Sequence, residues 1–207
     1  MSRRISMAVI RRMPKYYRYL NDLKNEGVSK ISSRKLAESM GLTASQVRQD
    51  FNCFGGFGQQ GYGYNVDTLH SEIASIIGVN RKHKAIIIGV GNIGRALINN
   101  FDFYQCGFTM IAAFDTDKAI VGKVLNKIPV LDVSELDAFY AENPFEVAVL
   151  TLPKAYAREI AEHMVRLGVK GIWNFTNLDL RIGDENVTVE DVHFSDSLMT
   201  LCFRITD

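Results

Sequence analysis

Apolar positions recur at helical spacing over the first 80 residues and then gather into short β-branched runs from Lys84 onward. From Met7 to Lys24, Ile10, Met13, Tyr17 and Leu20 mark one face of a helix, with Arg11, Arg12, Lys15 and Arg18 between them. Gly27 is placed to end it. A short second helix follows, with Ser33 as its cap and Leu36 and Met40 four apart on one face. Gly41-Leu42 makes a tight turn, and Thr43-Ala44-Ser45-Gln46 has the form of a capping box, in which hydroxyl and amide side chains satisfy orphan backbone amides reciprocally. The third helix spans about Ala44 to Asn52. Val47 and Phe51 face inward on it, leaving Ser45, Gln46, Arg48 and Gln49 free to face out.

Helix, glycine-containing turn and capped helix predict a helix-turn-helix, whose second helix enters a DNA major groove. Glutamine suits adenine and arginine suits guanine in bidentate contacts, while a serine holds phosphate. The segment from Phe54 to Tyr64 interleaves five glycines with four aromatics. Glycine allows tight turns and close approach, and aromatics anchor a ribbon, so the segment predicts the β-hairpin wing of a winged helix. The candidate DNA contacts are therefore Ser33, Arg34, Ser45, Gln46, Arg48, Gln49, Phe57, Gly58, Gln59, Gln60, Gly61 and Tyr62. A further helix, Asn65 to Gly78, carries Leu69, Ile73 and Ile76 on one face.

Lys84-Ala85-Ile86-Ile87-Ile88 predicts a strand buried on both faces. It runs directly into Gly89-Val90-Gly91-Asn92-Ile93-Gly94 and then a helical stretch, which is GxGxxG in its strand-turn-helix context. The glycines serve the tight turn, the approach of a pyrophosphate and helix-on-strand packing, and the helix N-terminus offers amides to phosphate. A second strand, Phe108 to Phe114, ends in Asp115, 21 residues beyond Gly94. A carboxylate there accepts bonds from the adenosine ribose and repels a 2′-phosphate, which favours NAD over NADP, although Lys118 nearby weakens that exclusion. Strands at Ile128–Leu131, Val147–Leu150 and Gly171–Trp173 alternate with helices at Ser134–Asn143 and Ala155–Leu167, as in a doubly wound parallel sheet. Strand ends carrying Thr151, Leu152, Pro153 and Asn174 are candidates to wall the nicotinamide. The tail has a strand-like Val187–Val189 and then Val192, Phe194, Leu198, Leu201 and Phe203 at helical spacing. It is too apolar to stay free and is expected to pack on its own domain or on a second subunit, with the subunit preferred.

Charge sharpens this division. Residues 1–84 hold 14 Lys/Arg against 6 Asp/Glu, and residues 85–207 hold 10 against 17, within a total near neutrality. A basic half facing a polyanion joined to an acidic half with another ligand follows from that split. Cys53, Cys106 and Cys202 form neither a disulfide framework nor a zinc site, and His70, His83, His163 and His193 lack metal-ligand spacing. With no long apolar run and no secretion signal, a cytoplasmic location without membrane contact is expected.

The string QVRQDFNCFGGFGQQGYGYNV (Gln46–Val66), followed by GVGNIG (Gly89–Gly94), FDTD (Phe114–Asp117) and the TLP and NFT strand ends, resembles the redox-sensing repressor family Rex. The resemblance spans nearly the whole chain. It implies a homodimer that binds an inverted-repeat operator, is released when NADH replaces NAD+, and exchanges its C-terminal helix between subunits. Phe194 is then a cofactor neighbour on that helix. In some members of that family an N-terminal-helix arginine pairs with an acid on the exchanged helix, and in the alternative state that acid pairs with a tyrosine of the Rossmann domain. Here Arg18 matches the arginine, but His193 stands at the acid's place and Asn100 or Phe101 at the tyrosine's; Arg48-Gln49 also replaces the usual Arg-Lys.

The expected architecture is thus α/β: an N-terminal winged helix-turn-helix at 1–83, a Rossmann domain at 84–188 and an exchanged helix at 189–207. Two other readings compete. A small NAD-dependent dehydrogenase would need a substrate domain and a His–carboxylate or Tyr–Lys pair, and no catalytic residue stands out. A CoA-binding Rossmann domain driving the same winged helix is the other, against which Asp115 argues for a ribose.

Overall fold

In the computed structural model, which describes residues 5–57 and 63–206, the chain divides into two units, one up to Asn80 and one from Arg81. The long first helix expected from periodicity is two helices, α1 (Met7–Ile10) and α2 (Met13–Asn25). Pro14 explains the break: it lacks an N–H, which is harmless only in the first turn of a helix, so α2 restarts there. The restart rephases the apolar face. Met13, Tyr16, Leu20 and Leu23 are buried, whereas Ile10 is exposed and Tyr17 lies half-buried on the His70 ring.

Next come β1 (Lys30–Ile31), α3 (Ser33–Met40) and α4 (Ala44–Asn52). Ser32, not Ser33, caps α3, its hydroxyl accepting from Lys35 N at 3.1 Å. Thr43 caps α4 by accepting from Gln46 N at 3.1 Å, but Gln46 returns no bond, so only half of the expected capping box forms. Each such cap contributes about 1 kcal/mol. Gly41, left-handed at φ 65°, ends α3 and turns the chain into α4. Strand β2 (Tyr64–Asn65) pairs antiparallel with β1, and α5 (Val66–Ile77) follows. The unit's core joins α2, α3, α4 and α5 through Tyr16, Leu20, Leu36, Phe51, Leu69 and Ile73. Phe57 and Tyr64 both meet the Phe51 ring edge-on, at centroid distances of 5.4 and 5.3 Å; the span expected to form the wing between them falls largely outside the described residues. Gly63 sits at φ 73°, and a Cβ there would come within 2.7 Å of the Ile31 carbonyl oxygen.

The second unit is a seven-stranded sheet among the described residues, in the order β5-β6-β4-β3-β7-β8-β9. The strands are β3 (His83–Ile88), β4 (Phe108–Asp115), β5 (Val124–Leu125), β6 (Ile128–Asp132), β7 (Val147–Leu150), β8 (Gly171–Asn174) and β9 (Thr188–Asp191). All pairs are parallel except β5–β6. Counted from β3, the parallel strands run 3-2-1-4-5-6, the dinucleotide-binding order, and the winding reverses between β3 and β7. Alternate residues of β3 serve opposite layers: Ile86 and Ile88 pack toward α7 (Leu136–Glu142) and α8 (Lys154–Leu167), Ile87 toward α6 (Asn92–Asn100). Burying each such isoleucine contributes roughly 2 kcal/mol.

Two expectations need correction. The helix expected at Ser134–Asn143 is a 3₁₀ turn, Val133–Glu135, followed by α7. The tail does not begin at 189: Thr188–Asp191 is the sheet's last strand, held in register on β8, and the helix α9 spans Phe194–Thr206. None of the three cysteines is buried; all are free and exposed.

Candidate functional site

At the winding reversal, the ends of β3, β4 and β7 open onto a cleft of about 920 Å³. Ligands of open α/β sheets bind at such a point. Gly89, Gly91, Asn92 and Ile93 line it, opposite Asp115, Thr151, Leu152 and Pro153. The loop's shape depends on its glycines. Gly89 holds φ 95°, and a Cβ on it would lie 2.7 Å from the Thr151 carbonyl. A Cβ on Gly94 would collide with the Gly89 carbonyl oxygen and come within 2.9 Å of Thr151 Oγ1. Gly91 has open space where a side chain would go, and no side chain caps α6, so its first-turn amides face the cleft unclaimed.

Asp115 is fixed by two backbone donors: Oδ2 accepts from Val90 N at 2.5 Å and Oδ1 from Asp117 N at 2.9 Å. Each oxygen keeps a lone pair for a ligand hydroxyl. Thr151 donates its hydroxyl to the Gly89 carbonyl at 2.5 Å, tying β7 to the glycine loop. Arg95 Nε donates to Val90 O at 2.9 Å from the other side. The cradle is thus held rigid, and its chemistry fits the group: amides for phosphate, a carboxylate for ribose, and apolar walls.

Not every expected residue reaches the cleft. Val90 is buried beneath the loop and reaches Asp115 through its amide, and Gly94 is buried against Gly89 and Thr151. The Lys118 ammonium is paired with Asp132. Asn174 is fully buried; its amide donates to Leu178 O and Asp191 Oδ1, and its Oδ1 accepts from Thr176. Phe194 packs beside Phe175 at 6.0 Å. The cleft instead recruits residues that the sequence reading passed over: Val133, and Tyr156, Glu159 and Ile160 on the opening turns of α8. The i, i+4 pair Tyr156 and Ile160, directly after Pro153, was the available signal.

In the first unit, Ser45, Arg48 and Gln49 are exposed on α4 and Gln46 is half-exposed. Arg48 Nη1 donates to Ser33 Oγ at 3.2 Å, which brings the start of α3 and the exposed face of α4 together. Arg34, also exposed, pairs with Glu38. Phe57 turns onto Phe51 and so anchors the unit rather than facing outward; Gly58, Gln59, Gln60, Gly61 and Tyr62 lie outside the described residues.

One group escaped the sequence reading. Asp50, on α4, is 2% exposed and accepts from Arg12 through both carboxylate oxygens, Nε and Nη2 each at 2.7 Å, and from Tyr16 Oη at 2.9 Å. Burial and the neighbouring carboxylate push the Tyr16 phenol well above its ordinary pKa, and the bond to Asp50 raises that of Arg12. The signal was legible: Val47, Asp50 and Phe51 share an i, i+3, i+4 face, and a carboxylate on an apolar face demands a partner.

A winged helix-turn-helix on one chain with a Rossmann unit of the dinucleotide-binding order defines the class, a transcription regulator with its own ligand domain. Comparison with known proteins agrees. Residues 4–52 match the family described as putative DNA-binding protein N-terminus, and residues 80–178 the CoA binding domain. A redox-sensing transcriptional repressor Rex of Clostridium botulinum is 49% identical over 95% of this chain and 93% of its own length. The Rex of Thermoanaerobacter pseudethanolicus is 45% identical over 99% and 91%. Among solved structures, RSP in complex with β-NAD+ and operator DNA superposes with a TM-score of 0.91 at 46% identity, covering 97% of this chain and 92% of that one. RSP in complex with β-NADH gives 0.89 at 42% identity, covering 98% and 94%. This chain belongs to the Rex family of redox-sensing transcriptional repressors.

Proposed function

We propose that the chain represses transcription by holding operator DNA and lets go of it when NADH rises against NAD+. The observation that carries this reading is the cleft at the winding reversal, with its uncapped α6 and its fixed Asp115, on the same chain as the exposed face of α4. Gly89, Gly91, Asn92 and Ile93 hold the pyrophosphate, Asp115 the ribose, and Thr151, Leu152 and Pro153 flank the redox ring. When bound, the dinucleotide supplies the signal, since a neutral dihydronicotinamide ring is buried at less cost than a charged nicotinamide. A ligand shifts a two-state equilibrium only by its differential affinity for the two shapes.

The working form in this reading is a homodimer on an inverted repeat. Every residue of α9 is unburied, yet it carries Phe194, Leu198, Met199, Leu201, Phe203 and Ile205, each more than half exposed. So apolar a helix needs a cover, and a second copy of the chain supplies one. At the place of the acid of some relatives stands His193, whose Nε2 lies 2.9 Å from Asp179 Oδ1 within its own unit. The protein works as a regulator without catalysis, in the cytoplasm; no described helix is long and apolar enough to cross a membrane.

Ser45, Gln46, Arg48 and Gln49 read the operator, with Ser33 and Arg34 on phosphate. Arg48→Ala is expected to weaken binding to an operator selected from a random duplex library by ten- to a hundredfold, about 1–3 kcal/mol, and to relax preference at one base pair per half-site. Fluorescence anisotropy on the selected duplex and its point variants checks this; equal weakening across all variants would reduce Arg48 to a phosphate contact.

A further inference from the structure

Beside Asp115 at the edge of the cleft, on the neighbouring strand, stands a second carboxylate that the assignment to a dinucleotide does not use. Asp132 ends β6 as Asp115 ends β4, and the two are register partners across adjacent parallel strands. Asp132 is rigidly held. It caps the 3₁₀ turn, Oδ1 accepting from Ser134 N at 3.0 Å and Ser134 Oγ at 2.7 Å, while its own N–H donates to Glu135 Oε1 at 3.1 Å. Its remaining oxygen, Oδ2, takes the Lys118 ammonium.

Lys118 lies on the turn after β4, three residues beyond Asp115. A free ammonium at that point would attract a phosphate on the adenosine 2′-oxygen and offset the repulsion from Asp115. Paired with Asp132, and with Glu135 also acting on it, the one lysine leaves the strand ends, which carry Asp115 and Asp117 as well, net negative. The Lys118 contact also holds the Asp132 carboxyl far below the usual carboxylate range, so the pair stays charged wherever the protein is folded at ordinary pH.

We propose that Asp132 is a specificity-determining residue of this cleft: by occupying the Lys118 ammonium it denies that cation to a 2′-phosphate and keeps the site selective for the dinucleotide that lacks one. This rests on the reading of the cleft as a dinucleotide site and names what makes that site discriminate. Two charges act together. Removing the Asp132 carboxylate takes away one repulsive charge and releases one attractive charge, each worth the modest energy of an exposed pair. Asparagine keeps the capping oxygen, so the 3₁₀ turn survives.

The test is calorimetric titration of the full chain with NADH and with NADPH at low ionic strength, where exposed charges are least screened. For the unaltered protein NADH binds more tightly. Asp132→Asn, and independently Asp132→Ser, narrows the NADPH-to-NADH ratio of dissociation constants by about fivefold. Adding Lys118→Ala to Asp132→Asn removes most of that gain, which a purely structural role for Asp132 would not produce. A ratio that stays within twofold of the starting value, while NADH still binds, overturns the proposal and leaves the dinucleotide site standing. A gain that survives Lys118→Ala also overturns it. If the unaltered chain binds neither nucleotide, the reading of the cleft falls, and this proposal with it.

Discussion

Asp50→Ala is expected to abolish operator binding while the second unit goes on binding nucleotide. The substitution strips the Arg12 guanidinium and the Tyr16 hydroxyl of the acceptor that holds both to α4. Removing one partner of a buried pair costs more than the pair contributes, because the other charge stays behind. Arg12 retains some contact with solvent, its side chain being 21% exposed, so the loss is about 3 kcal/mol rather than the upper limit. It falls on the unit that presents α4. The single tryptophan, Trp173, lies in β8 of the other unit and reports it separately. A urea titration should show the far-ultraviolet dichroism of the helical first unit lost earlier, with the Trp173 fluorescence transition unmoved. Coincident shifts of both signals would mean that Asp50 supports the chain as a whole and not α4 alone.

Gly94→Ala is expected to do the converse, removing nucleotide binding while the first unit keeps its fold. A methyl group at Gly94 has nowhere to go: it meets the Gly89 carbonyl and Thr151 Oγ1, and the first of these is backbone that cannot swing aside. Overpacking of this kind costs at least about 2 kcal/mol, and here it must be relieved by lifting α6 off β3 or opening the glycine loop. Either movement displaces the amides and the Val90 N–H that fixes Asp115. NADH affinity should fall by at least a hundredfold in calorimetry, and the Trp173 transition should move to lower urea. An alanine variant that binds NADH normally would show that the loop's geometry is not what forms the site.

How much of this was legible in the sequence depended on how local the cause was. Strands β3 and β7, the glycine loop and the Asp115 position follow from β-branched runs and spacing along a few residues, and the structure places them where the pattern does. The break between α1 and α2 was equally local, since Pro14 stands in plain view, yet periodicity ran through it and carried Tyr17 inward in place of Tyr16. Strand β5 was missed because its turn uses Asn126 and Lys127 at positive φ, without the glycine that usually marks such a hairpin. Asn174 looked like a cleft residue because it ends a strand. Only the arrival of Asp191 on β9 and of Leu178 O shows that its amide is fully engaged inside. The Lys118–Asp132 pair was beyond reach for the same reason, joining residues 14 apart through strand register. Partners set by topology are not written in spacing.

The most direct test of the account is a titration of the operator complex with each nucleotide in turn. An operator duplex selected with this protein is labelled, bound near saturation and followed by anisotropy as NADH or NAD+ is added. The account predicts that NADH releases the DNA and that NAD+ at the same concentration does not, with excess NAD+ shifting the NADH midpoint upward by competition for one site. Equal effects of the two nucleotides, or release by neither, would contradict it.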